Sequence, residues 1–190
     1  MMKTSVALLA VLSVAGLAPV QLKEAAGSKT ASATLQPSPE MQKLSDAFTG
    51  NWKVSEKFDV SSTLQGKNRQ GTASFRLGPG VSLIEDYKSN GSAGELNSVA
   101  LFWWDESARA YRLFTCANNY GCQLRGNLTW EGDKLVNSWQ EEVNGQMATF
   151  TDSFVDISPS AFLQISEGSA GGKTIWRVIT RHTRLNGEEH

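Results

Sequence analysis

The sequence predicts an all-β fold, a ten-stranded up-and-down antiparallel barrel with a short N-terminal capping helix, and three observations carry that prediction. Ten strand-length segments follow one another between residues 51 and 185, separated by turns rich in Gly, Asn and Asp. No long crossover helix, the connection parallel strands would need, lies between them. Gly50-Asn51-Trp52 stands at the mouth of the first segment, where a large aromatic can plug one end of a small barrel. A two-sheet sandwich is the competing arrangement, but closure into a barrel removes exposed strand edges.

The residues before the barrel read as export and spacer segments. Lys3 precedes an apolar run of 13 residues, Val6–Ala18, with small residues near its end. Such a run is too short to span a bilayer comfortably and reads as a signal peptide over 1–18, with cleavage between 18 and 26. No Cys follows it, so a lipoprotein anchor is not supported. Residues 19–38, rich in Ala, Ser, Thr and Pro, read as a flexible linker, and 186–190 as a frayed tail. The mature chain is therefore expected to be secreted or periplasmic, with a single domain over 39–185.

Ser38-Pro39-Glu40 supplies an N-cap, a proline at the first helical position and an acidic first turn. Met41, Leu44 and Phe48 follow at helical spacing, so a short amphipathic helix is predicted over 39–48. The first strand, Asn51–Val60, puts Trp52, Val54, Phe58 and Val60 on one face, with Glu56 the polar exception among them. Gly71–Leu77 and Val81–Lys88 alternate in the same way, the latter with Leu83, Glu85 and Tyr87 together. Leu96–Trp104 is apolar on both faces and reads as a strand covered on both sides. Arg109–Cys116, Cys122–Trp130 and Lys134–Val143 follow. Asn144-Gly145 is the clearest hairpin signal in the chain. Gln146–Ile157 alternates around Phe150 and Phe154, Ala161–Glu167 comes next, and Thr174–Leu185 closes the series with Trp176, Val178, Thr180 and His182 on one face.

The chain has 190 residues, 40% hydrophobic and 19% charged, with a net charge of -1. That is enough for a sizeable core and gives no reason to expect a nucleic-acid partner. After the signal segment nothing is long and apolar enough for membrane insertion of the mature chain. Cys116 and Cys122 bracket a turn-rich stretch and would come close across a hairpin. A disulfide fits an exported chain; two free thiols or half a metal site are the alternatives.

Several pieces together resemble the exported lipocalin-like family of unknown function called DUF1579. They are Leu44-x5-Gly50-x-Trp52, Gly71-Thr-Ala-x-Phe-Arg-Leu, Gly80-x-x-Leu83-x-x-Asp86-Tyr87, Trp104-Asp105-x5-Tyr111, Gly126-x3-Trp130-Glu-Gly-Asp133 and Thr180-Arg181-x-Thr183-Arg184. Their order and spacing over Met41–Leu185 carry the resemblance. It implies a calycin-type barrel and brings no established activity. It also implies a structural plug, in which Arg184, or Arg181, packs over Trp52 through a cation–π contact.

No nucleophile elbow, phosphate-cradling loop or zinc spacing is present, so no catalytic residue, metal or cofactor is expected from motifs. The better lead is an aromatic interior. Phe75, Tyr87, Trp104 and Tyr111 in the first half, and Trp139, Phe154 and Trp176 in the second, are candidate walls of a cavity for a small apolar or amphipathic molecule. Aromatic core packing explains the same pattern. Glu56 would orient a polar group of the ligand, though buried charges are usually paired and pairing with an inward arginine is the preferred account. Two further readings stay open. His182 is a candidate haem ligand, and Glu56 or Glu85 a candidate acid/base in a calycin-type enzyme.

Overall fold

The computed structural model describes residues 36–185. The predicted signal peptide, nearly all of the linker and the C-terminal tail lie outside the described residues. The chain enters through a helix, α1 (Pro39–Phe48). Ser38 Oγ accepts a hydrogen bond from the Met41 amide at 3.2 Å, capping the helix where Pro39 starts it. Ten strands follow: β1 (Gly50–Val60), β2 (Asn68–Leu77), β3 (Leu83–Asn90), β4 (Leu96–Asp105), β5 (Ala110–Ala117), β6 (Gly121–Glu131), β7 (Lys134–Val143), β8 (Gln146–Val155), β9 (Ala161–Ala170) and β10 (Lys173–Arg184).

Each strand pairs antiparallel with the next, and β10 returns to β1, closing the barrel without an edge. In that closing ladder Trp52 faces Arg184, Val54 faces His182 and Glu56 faces Thr180. Asn144 and Gly145 both take positive φ (52° and 78°) between β7 and β8, as a two-residue hairpin requires.

The helix closes one end. Met41, Leu44 and Phe48 are buried beneath it. Phe48 meets Phe162 edge to face at 5.1 Å, and Phe162 meets Trp52 likewise at 4.9 Å. The Trp52 indole donates to the Phe48 carbonyl at 2.9 Å, and the Arg184 guanidinium lies over the indole ring at 4.2 Å. Arg184 also donates to the carbonyls of Thr49 and Pro159, which ties the helix end and the β8–β9 turn to the plug. Gly50 makes this approach possible. Its φ is 137°, and a Cβ there would run into Arg184 Nη1. Arg181 is exposed, so the basic side chain of the plug is Arg184.

Several boundaries differ from expectation. β2 begins at Asn68, three residues before the predicted start at Gly71, because Arg69 pairs with Glu56 in the β1–β2 ladder. β3 begins at Leu83 because Val81 sits in a 3-10 turn with φ 58°. β8 stops at Val155, before Asp156 with its φ of 53°. β4 is not covered on both sides. Ala100 and Phe102 point inward, whereas Val99 is 48% exposed, since a single-layer barrel has no second layer outside it.

Candidate functional site

Above the plug the barrel is hollow. The cavity measures about 460 Å³, within the range of small-molecule sites. It runs from the level of Glu56 and Thr180 to the β5–β6 hairpin, where Asn119 and Tyr120 border it. One side of its wall is aromatic: Trp139 stacks on Phe150 at 5.5 Å, and Phe150 meets Trp176 at 6.4 Å.

Of the residues expected to form the site, Glu56, Tyr87, Trp139, Phe154 and Trp176 line this cavity. Phe75, Trp104 and Tyr111 do not. They face inward as alternation requires, but lie in the packed layers nearer the helix. Phe75 stacks on Phe48 at 5.8 Å. Tyr111 donates to the Glu40 carbonyl of α1 at 2.8 Å and meets Trp104 edge to face at 5.0 Å. These three belong to the plug end, not to the ligand wall.

Glu56 is in the lumen, yet its carboxylate is already satisfied. Arg69 donates to Oε2 from Nε at 3.1 Å and from Nη2 at 2.5 Å, while Tyr87 and Ser89 hydroxyls donate to Oε1 at 2.5 and 2.6 Å. All four residues are buried. The paired reading therefore holds, and Glu56 has little capacity left to orient a ligand. Burial, and then the charge of Glu56, push the Tyr87 phenol far above its ordinary value, so it serves as a fixed hydrogen-bond donor.

Two other carboxylates are less well provided for. Glu85 lines the cavity from β3, and its carboxyl is pushed up to about 8 by burial, with Asp152 and Asp86 adding to it. Asp152 lines it from β8. Burial raises it too, partly offset by the Ser166 hydroxyl, which donates at 2.5 Å, and by Arg125. The Arg125 guanidinium lies over Trp139 at 4.5 Å and over Tyr120 at 5.1 Å.

His182 sits below the cavity, not on its wall. It is fully buried, flat against Phe162 at 4.1 Å, one inward position closer to the plug than Thr180. Neither ring nitrogen has a hydrogen-bond partner among the described residues. Burial lowers the imidazole to about 3, so it is neutral throughout the ordinary pH range. The geometry does not bring it to the lumen as a haem ligand would need to be. No group of His, Cys, Asp and Glu suited to a metal ion occurs among the described residues.

Arg69, Asp152 and Arg125 are cavity residues that the sequence reading missed. Alternation back from Phe75 and Ala73 reaches Arg69, and alternation between Phe150 and Phe154 reaches Asp152. Arg125 carries no such signal. A bulge in the β5–β6 ladder skips Gly126, so that Leu128 and Arg125, three residues apart, both oppose inward residues.

Cys116 and Cys122 form a disulfide across the β5–β6 hairpin that carries Tyr120. No described helix is long and apolar enough to cross a membrane.

No family model and no curated protein matches this chain. Among solved structures, Rv2717c from M. tuberculosis is similar in fold, with a TM-score of 0.57 at 11% identity over 80% of this chain and 100% of that one. A de novo designed fluorescence-activating β-barrel matches at TM-score 0.39 and 14% identity over 73% of this chain and 94% of its own. The redesigned barrel mFAP0, solved with DFHBI bound, matches at TM-score 0.40 and 12% identity over 72% and 97%. The likeness to Rv2717c bears on the fold alone, and the designed barrels, at their low TM-scores, add nothing to it.

Proposed function

We propose that this chain is an exported barrel, secreted or periplasmic, that binds a small apolar or amphipathic molecule in its lumen without acting on it chemically. The observation behind the reading is the cavity of about 460 Å³ with Trp139, Phe150 and Trp176 along one side. The disulfide supports an oxidising compartment. Membership of the DUF1579-like family remains a proposal resting on the order of its motifs.

Native mass spectrometry of the mature protein from its own source tests the reading directly, since a reproducible excess mass is expected. Nile red, a neutral apolar dye, should also be taken up with a blue shift. Trp139→Ala should weaken that uptake about tenfold while lowering stability by less than about 2 kcal/mol. A larger loss of stability with uptake unchanged would assign Trp139 to the core instead.

A second reading, an enzyme of the calycin type, has Glu85 behind it, because a carboxyl held near 8 is protonated at neutral pH and able to act as a general acid. It requires that Glu85 titrate near that value by carbon-detected NMR. Titration at an ordinary carboxylate value would remove it.

A further inference from the structure

We propose that the ligand of this cavity is an organic cation with an apolar body, its charged group held between Glu85 and Asp152 and its body against Trp139, Phe150 and Trp176. The inference rests on the reading of the lumen as a ligand site and specifies the chemistry of what enters it.

The charges of the wall do not balance. Four carboxylates, Glu56, Glu85, Glu141 and Asp152, line the cavity with only two guanidiniums, Arg69 and Arg125. Arg69 is committed to Glu56. Arg125 is stacked on Trp139 and Tyr120, with Asp152 within range of its charge. Glu85 is left without an ion pair or hydrogen bond from the described residues. Its strand, β3, and that of Asp152, β8, stand five places apart either way around the ten-strand ring, so the two residues line the cavity from opposite walls. Beside Asp152 in the β7–β8 ladder, Asn137 is fully buried with neither its amide nitrogen nor its oxygen hydrogen-bonded among the described residues.

An uncompensated carboxylate on a wall of low-dielectric protein attracts a positive group. Burial, and then the charges of Asp152 and Asp86, raise Glu85, and a bound cation would favour its ionised form. The aromatic side of the wall, Trp139, Phe150 and Trp176, suits the apolar body of the same ligand. A carboxylate ligand would find Arg69 already paired with Glu56, Asp152 beside Arg125, and the surplus negative charge of the wall repulsive. A neutral one would leave Glu85 unpaired.

Three ligands of equal chain length separate these cases: decylamine, decanol and decanoate, each competed against Nile red below its micelle concentration. The titrations belong at pH 8.5, above the Glu85 value and below that of an alkylammonium, about 10.4 by analogy with lysine. Decylamine should bind about tenfold more tightly than decanol, with decanoate the weakest. Glu85→Gln should bring decylamine within about twofold of decanol while decanol affinity holds. Asp152→Asn should act in the same direction and serves if the first variant folds poorly. Decanoate binding as tightly as the amine, or an amine preference that survives both substitutions, would overturn the proposal while leaving the ligand site standing. Failure of all three, with Nile red also excluded, would overturn the site itself.

Discussion

At the helix end of the barrel, Phe48, Trp52, Phe75 and Phe162 meet at ring-centroid distances between 4.9 and 6.2 Å, under a guanidinium that is hydrogen-bonded to two backbone carbonyls. At the other end, rings of the same kind, Trp139, Phe150 and Trp176, border empty volume and share it with Glu85, Asp152 and Arg125. The same residue type is thus core in one half and wall in the other. The difference lies in what stands opposite: at the helix end α1 inserts Phe48 to fill the lumen, and at the mouth no described element does so. Stability should therefore concentrate near Trp52 and binding near Trp139.

The largest expected effect is at the plug. Trp52→Ala removes a fully buried indole together with its hydrogen bond and the seat of Arg184, and should cost about 3–5 kcal/mol in urea unfolding. A cost below about 1 kcal/mol would break the division between the two ends.

The boundary layer comes next. Arg69→Met leaves Glu56 buried with only the two hydroxyl donors and should cost about 3 kcal/mol. Adding Glu56→Gln should recover part of that loss in a double-mutant cycle, since the penalty comes from the stranded charge.

His182 supplies a pH-dependent term. Its folded value, about 3, lies below the unfolded one, 6.5, so the unfolded chain binds more protons between them. The neutral form's contribution is complete above pH 6.5 and declines as pH falls toward 3, by about 2 kcal/mol at pH 5. His182→Leu should flatten this acid limb in unfolding curves measured between pH 7 and 4. Glu85 works in the opposite sense, because its raised value makes the folded state the better proton binder and lowers stability as pH rises from 4.5 to about 8.

The smallest effect should be at the mouth. Replacing Cys116 and Cys122 together by Ser opens only a short loop and should cost roughly 2 kcal/mol at most. Faster hydrogen exchange should appear in the β5–β6 hairpin and leave the plug unchanged. Loss of protection at Trp52 would show that the two ends are coupled.

Much of this was legible before any coordinates. Period-two alternation and turn chemistry determined the ten strands and most of their inward faces, and helical spacing after an N-cap determined the helix over 39–48, because these are local properties of the chain, whereas the basic partner of Trp52 from the last strand came from the family resemblance. Asp152 and Arg69 were within reach of the same rule. What alternation reports, however, is inside against outside. It is silent about height along the barrel axis, which depends on how far each strand is staggered against its neighbours. That is why Phe75, Trp104 and Tyr111 could be placed inward but not assigned to the packed layers. The bulge at Gly126 likewise emerges only from pairing. A Cβ there would meet the Ser138 carbonyl at 2.5 Å, and this contact across strands, unlike turn chemistry, is not written in any short stretch of sequence. Whether the lumen is filled is decided last and by the whole ring, since the volume left over depends on side chains from all ten strands at one level, and tertiary structure alone brings them to that level.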